Sequence, residues 1–215
     1  MGEDKNIIKE ILEWGYCIII AVILALLVRY YIGTPTVVQQ QSMETTLMPG
    51  DRLILSRLKK TSKKTYERGE IITFEAPSTT VAPIAQVDFQ NPVAEYNNEP
   101  QSLFSRFVYY ILEVNKTSYI KRIIGVAGDH IEIKDNAVYL NGKILKEDYL
   151  DKGVQTNLGS YGVYSDVIVP EGYVFVMGDN REHSTDSRCF GCVPVTKIEG
   201  KVWIRFWPLN KFGEV

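Results

Sequence analysis

One run of side chains settles where this chain works before any fold is considered. From Ile18 to Val28 every residue is apolar, and the stretch from Trp14 to Ile32 is interrupted only by Gly15 and Arg29. As a helix rising about 1.5 Å per residue it spans roughly 28 Å, close to the ~30 Å hydrocarbon core of a bilayer. One crossing fits. Trp14 at one end and Tyr30 and Tyr31 at the other sit where interfacial anchors belong, and Arg29 is placed to snorkel toward the headgroups. A cleaved secretory signal is the rival reading. It lacks a small-x-small cleavage site, because Arg29, Tyr30, Tyr31 and Ile32 follow the run and Pro35 comes soon after. The segment is therefore read as a retained anchor over 14–32, with a short cytoplasmic segment, 1–13, before it and an extracytoplasmic domain, 33–215, after it. Basic residues do not fix that orientation. Lys5 and Lys9 precede the span, while Arg29, Arg52, Arg57, Lys59 and Lys60 follow it.

Beyond Gly33 the pattern turns from helical to extended. Ile71-Ile72-Thr73-Phe74, Ile131-Glu132-Ile133, Ala137-Val138-Tyr139-Leu140 and Tyr173-Val174-Phe175-Val176-Met177 are short, β-branched or aromatic, and bounded by turn formers. Asp135-Asn136 and Asn141-Gly142 are two-residue hairpin signals. The soluble part is expected to be mainly β, an antiparallel sheet domain carried on one N-terminal transmembrane helix. Between Pro77 and Tyr119 the character changes. Pro83, Pro92, Pro100 and Asn97-Asn98 read as loop, and Leu103 to Leu112 as a short aromatic-rich element, helix or strand. The segment 78–118 is taken as an insertion, either a lid on the β core or a surface for lipid or a partner. A formal charge of −2 leaves no nucleic-acid footprint. Lys59, Lys60, Lys63 and Lys64 form a small basic cluster, read as a solvated loop or as an attraction to anionic headgroups.

Three segments carry chemistry. Ser42 opens Ser42-Met43-Glu44-Thr45-Thr46-Leu47-Met48-Pro49-Gly50-Asp51, just beyond the anchor. Lys121 lies in Tyr119-Ile120-Lys121-Arg122-Ile123-Ile124-Gly125, an apolar strand-like run where burial opposes its charge. Bringing a lysine from pKa 10.4 to about 8 takes roughly 3 kcal/mol, which a dry slot supplies, and a neutral amine can then deprotonate a serine attacking a carbonyl. A lysine whose ammonium reaches water from a strand end is the plainer alternative. The third segment, Met177-Gly178-Asp179-Asn180-Arg181-Glu182-His183-Ser184-Thr185-Asp186-Ser187-Arg188, follows a strand and is dense in hydrogen-bonding side chains.

Together these segments, with Arg68-Gly69-Glu70-Ile71-Ile72-Thr73-Phe74 between the first two, resemble the bacterial type I signal peptidases. Those are membrane-anchored serine proteases with a Ser-Lys dyad. The resemblance covers most of the chain outside 78–118. It implies that Ser42 is the nucleophile and Lys121 the general base, that Ser184 hydrogen-bonds the lysine amine, and that Asp186 and Arg188 form a supporting ion pair. It also implies that Asp179 and Asn180 shape the turn and that Met43 lines the pocket floor. The expected substrates are signal peptides of translocated preproteins, cut after small-x-small sites through an acyl-enzyme, beside the lipid bilayer and without metal or cofactor. The same resemblance, rather than the charge count, argues for a cytoplasmic N-terminus.

Two positions depart from the family pattern. Thr45 stands where Ser-Met-x-Pro-Thr has proline, which loosens the turn or frees an N–H. Gln40 stands two before the nucleophile, where glycine or serine is usual. Its amide is a candidate oxyanion donor with the Ser42 N–H, worth about 3 kcal/mol, and its bulk narrows the cleft. With the insertion, these departures fit a restricted substrate set such as pilin precursors. A Ser-His-Asp site through His183 and Asp186 is the weaker reading, and His130 is expected in a solvated turn. Cys189 and Cys192 form a C-x-x-C pair, expected in an extended segment with Cα atoms nearly 10 Å apart and so unbonded unless Gly191 turns sharply. With only two histidines and no cysteine cluster, a metal site is not expected. Two other functions compete. One is a non-catalytic assembly factor or chaperone for secreted subunits, and the other a self-cleaving regulator with a similar β core, for which no DNA-binding segment precedes the anchor.

Overall fold

The computed structural model describes residues 3–62, 64–81, 87–97, 99–111, 113 and 116–215. Lys63, Pro83, Asn98 and Leu112, named above, lie outside them. The chain begins with helix α1, Glu3–Tyr31. It starts eleven residues before the expected span because nothing between Glu3 and Gly15 breaks a helix, and Lys9 and Glu13 add an i,i+4 pair at 3.9 Å. Its stretch Lys9–Tyr31 is long and apolar enough to cross a membrane, and none of it is buried against the protein.

After Gly33 the strands form two antiparallel sheets. In chain order they are β1 Gly33–Val37, β2 Arg52–Ser56, β3 Ile71–Glu75, β4 Ser118–Val126, β5 His130–Lys134, β6 Ala137–Leu140, β7 Lys143–Ile144, β8 Asp166–Ile168, β9 Tyr173–Met177, β10 Val193–Pro194, β11 Ile198–Trp207 and β12 Gly213–Glu214. The large sheet runs β1-β2-β11-β3-β4-β9-β10, with β12 on β11, and the small one runs β7-β6-β5-β8. Short helices α2 Leu58–Thr61, α3 Leu103–Tyr110 and α4 Ser187–Phe190 lie between strands. Mainly antiparallel β on one apolar helix is thus the architecture.

Turn chemistry sets the small sheet's register. Asp135 and Asn136 both have positive φ, 52° and 58°, and join β5 to β6 with Lys134 opposite Ala137. Asn141 and Gly142, at 52° and 77°, do the same between β6 and β7. Positive φ at both central residues is the hairpin geometry that follows strand twist, and Asn and Gly tolerate it. With these registers fixed, Ile131, Ile133, Val138 and Val167 face the large sheet and pack with Ile124, Phe175 and Met177. A second cluster, Ile72, Phe74, Ile123, Val176 and Phe190, fills the large sheet's middle. A third, of Val38, Met43, Leu47, Leu53, Leu55, Ile71 and Val202, lies under the segment carrying Ser42. Each fully buried aliphatic or aromatic side chain here contributes about 1.5–3 kcal/mol.

The segment 78–118 behaves as two parts. Its first half joins the core: Ala94 is buried, Tyr96 Oη donates to the Glu75 carbonyl at 3.0 Å, and Val93 bridges to Cys192. Its second half is α3, whose N-terminus is closed by a reciprocal Ser102–Ser105 capping box and none of whose residues is buried.

Candidate active site

Ser42 sits in a short 3-10 turn, Gln41–Met43, held from below by Met43 in the third core cluster. Lys121 lies in the middle of β4, opposite Ile72 of β3. Successive strand side chains alternate faces. Lys121 therefore shares a face with Tyr119 and Ile123, and its Nζ lies 5.4 Å from the Tyr119 ring centroid. It donates to Ser42 Oγ at 2.6 Å and to the Ile120 carbonyl at 3.1 Å. Lys121 is 1% exposed and Ser42 4%. Burial brings the amine down from 10.5 to about 8, with Asp186 pulling it back up, Arg188 adding to the fall and Asp179 opposing it. A neutral amine against a serine hydroxyl is the arrangement that nucleophile activation requires.

The two side chains open on a cleft of about 460 Å³. Gln39, Gln40, Gln41, Pro49, Tyr119, His183 and Thr185 line it around the dyad. Gln40 is exposed among these lining residues. Asn180 secures the serine turn. Its N–H donates to the Ser42 carbonyl at 3.1 Å and its Nδ2 to the Gln41 carbonyl at 3.1 Å.

Arginine and aspartate fix the loop behind Lys121. Arg188 meets Asp186 through Nε and Nη2, both at 2.8 Å, and Asp186 also accepts from the Gly178 N–H at 3.0 Å. Burial would raise the Asp186 carboxyl, but the facing guanidinium holds it below the usual range. Asp179 does more than shape a turn. It takes Arg122 Nε at 2.9 Å and Nη2 at 2.6 Å, plus the Thr46 hydroxyl at 2.5 Å, and so ties β4 to the segment after Ser42. Reading the sequence by motif missed Arg122. The signal was present, since an arginine inside an apolar run needs a carboxylate partner.

Gly178 is the other residue missed. A Cβ there would stand 2.3 Å from Ser184 Oγ and 2.4 Å from the Ser42 carbonyl oxygen, so only glycine lets the two loops close.

Several expectations are corrected. The Ser184 hydroxyl does not bond Lys121: its Oγ is buried over Gly178 with no hydrogen-bond partner among the described residues. Met43 is fully buried in the core under the turn rather than on the cleft floor, because the 3-10 turn sends Ser42 and Met43 to different sides. His183 lines the cleft, but Lys121 is the group bonded to Ser42. His130 is in β5 rather than a turn, its Nε2 2.6 Å from Asp166 Oδ1. Cys189 lies in α4 rather than an extended run, and Gly191, at φ 85° against the Pro92 carbonyl, turns the chain before Cys192. Both thiols are free and buried, and burial pushes Cys192 up to about 12. Thr45, in place of proline, turns its hydroxyl to Asp151 at 3.3 Å.

A family model described as "Signal peptidase, peptidase S26" matches residues 11–207. The chain belongs to that family. Signal peptidase IB of Staphylococcus aureus strain COL is 32% identical over 219 aligned positions, covering 95% of this chain and 93% of the relative. Signal peptidase I of Bacillus licheniformis is 31% identical over 218, covering 98% and 97%. A crystallised signal peptidase I from Enterococcus faecalis is 29% identical and covers 64% of this chain and 97% of its own, at a TM-score of 0.39. The match covers the apolar stretch of α1 and every strand except β12, so this signal peptidase is a serine endopeptidase built on the architecture described above.

Proposed function

We propose that this peptidase releases signal peptides from translocated preproteins at the extracytoplasmic membrane face, with Ser42 as nucleophile and Lys121 as general base. The observation that carries the reading is the 2.6 Å contact between Lys121 Nζ and Ser42 Oγ, with both groups out of water. Near neutrality an amine titrating at about 8 is partly unprotonated. It takes the hydroxyl proton as Oγ bonds to the scissile carbonyl carbon, and the resulting ammonium returns that proton to the leaving amine. Water then attacks the acyl carbon as Lys121 takes its proton, and the ammonium passes that proton to Ser42 Oγ as the acyl C–O bond breaks.

Charge on the carbonyl oxygen develops in the cleft. The Gln40 side-chain amide and the Ser42 N–H are its donors in this reading, supported by the exposed position of Gln40 on the cleft wall. The Ser184 hydroxyl, unpartnered at rest, is assigned to orient the amine as it gains its proton. Asp179, Asn180, Asp186 and Arg188 hold the two loops in place, as their hydrogen bonds support. Small-x-small selection is assigned to the cleft beside Ser42, and the bulk of Gln40 is taken to favour a restricted substrate set such as pilin precursors.

Anchoring on α1 sets the cleft just above the bilayer, with the residues before the span in the cytoplasm, because a translocated preprotein presents its cleavage site on the far side. The test is incubation of the detergent-solubilised full chain with several preproteins and N-terminal sequencing of the products. Cleavage after small residues, abolished in Ser42→Ala and Lys121→Ala with folding retained, is expected. Full processing by Lys121→Ala refutes the dyad.

A further inference from the structure

A cavity of about 650 Å³, larger than the catalytic cleft, opens where α1 leaves the membrane. The last two residues of that helix, Tyr30 and Tyr31, form one wall, so the cavity lies at headgroup level if α1 spans the bilayer. Four cations line it: Arg57, Lys60, Arg106 and Lys116. Only two carboxylates face them. Glu113 is taken by Arg57 and, at 2.6 Å, by Arg29, while Glu199 is taken by Lys116 at 2.6 Å. Lys60 and Arg106 have no carboxylate within ion-pair distance among the described residues. Arg57 is 7% exposed, and its Nε has no acceptor among the described residues. The uncompensated charge is felt locally: burial lowers the Lys60 amine, and Lys116 and Arg57 lower it further.

The opposite wall is α3, which contributes Arg106, Phe107 and Tyr110. Leu103, Phe104 and Phe107 fall within an arc of roughly 100° on that helix, and are 85%, 77% and 45% exposed. A capped helix with one bare apolar side, next to the exit of a membrane anchor, has the form of an interfacial helix. Excess positive charge beside it matches a phosphodiester, and the apolar side matches acyl chains.

We infer that this cavity binds the phosphate of an anionic phospholipid, with α3 lying in the interface so that Leu103, Phe104 and Phe107 enter the acyl region beside it. The inference rests on the anchor reading of α1, and not on the Ser-Lys chemistry. Bound lipid fixes how far the β domain stands from the bilayer, and so the height of Ser42 above it.

The experiment titrates the full-length protein in neutral detergent, at 0.15 M salt, with short-chain phosphatidylglycerol, short-chain phosphatidylcholine and sodium phosphate. Native mass spectrometry reads occupancy. Phosphatidylglycerol is expected to bind at least tenfold more tightly than phosphatidylcholine. Lys60→Gln and Arg106→Gln each weaken it about fivefold, and roughly 20-fold together, with phosphatidylcholine unchanged. Neither residue belongs to the core and neither is ion-paired among the described residues, so the fold is expected to be retained, and peptidase turnover on a soluble peptide serves as control. Leu103→Ser with Phe104→Ser weakens both lipids alike. Equal affinity for the two lipids, or a preference that survives the double charge substitution, overturns the inference. Competition by phosphate at the lipid's own concentration makes this a soluble-anion site and overturns it too. Lost turnover with retained lipid preference counts against the dyad alone. A chain that fails to insert into phosphatidylglycerol vesicles removes the anchor and this inference together.

Discussion

Replacing Lys121 with methionine separates catalysis from stability. In the folded chain the amine titrates at about 8 rather than 10.5, chiefly because it is buried. At 1.36 kcal/mol per unit, keeping it charged costs the fold roughly 3 kcal/mol below pH 8. Methionine nearly preserves the volume and removes that cost. It also removes the hydrogen bonds to Ser42 Oγ and the Ile120 carbonyl, worth about 1 kcal/mol each. At pH 7 the variant is therefore expected to be more stable by about 1 kcal/mol and inactive.

The sign reverses with pH. Between 8 and 10.5 the unfolded chain still holds the lysine proton while the folded chain has lost it, so wild-type stability rises with pH across that window. Methionine does not titrate. The variant's advantage should fall by roughly 3 kcal/mol over the window and become a deficit of about 2 kcal/mol above it. Guanidinium unfolding in detergent, followed through the fluorescence of Trp203 and Trp207 in β11, measures the difference at each pH. Taking wild type minus variant cancels the tyrosines and thiols that titrate nearby. A difference that stays flat from pH 7 to 11 refutes the buried, depressed amine.

Three further outcomes are expected. Gln40→Ala should lower kcat about 100-fold with little change in KM if its amide serves the oxyanion, and a rate within twofold of wild type rejects that role. Gly178→Ala drives a methyl into Ser184 Oγ and the Ser42 carbonyl; it should cost about 1–3 kcal/mol of stability, read by the same unfolding curves, and abolish turnover because the loop carrying Ser42 must shift. Arg188→Gln leaves the Asp186 carboxylate buried and unpaired, at a cost of about 3–5 kcal/mol. In whatever fraction folds, the rise of kcat/KM with pH should move to higher pH, since the freed carboxylate holds Lys121 protonated.

What the sequence made legible was local or ordered along the chain. Asp135-Asn136 and Asn141-Gly142 announce two hairpins because positive φ is paid for in residue type at those positions. The long apolar helix is visible from length and polarity alone. Between helix and strand the residues of α3 do not decide, because Phe, Val and Tyr are indifferent helix formers and its capping box uses Ser105 where Glu or Gln is the usual signal. Within the site, Ser42 and Lys121 were found through their neighbours in the chain, and 79 positions of separation close to one hydrogen bond. The Ser184 and Met43 expectations failed for a common reason. Each depends on which way a side chain leaves a turn, and that is set by Gly178 and the core beneath, not by the residues beside them.

The carboxylates around Lys121 show why the pairing with arginine matters. Asp186 and Asp179 both act to keep the amine charged, and either one bare in a low-dielectric interior would push it further up. Each is instead matched by a guanidinium in bidentate contact, Arg188 on Asp186 and Arg122 on Asp179. The carboxylates can then brace Gly178 and Thr46 through hydrogen bonds while their net field at the amine is small. Burial is left as the dominant influence on Lys121. In this arrangement the ion pairs supply rigidity and the apolar strand supplies the chemistry, so a loop built of charged residues can support a base that works only when uncharged.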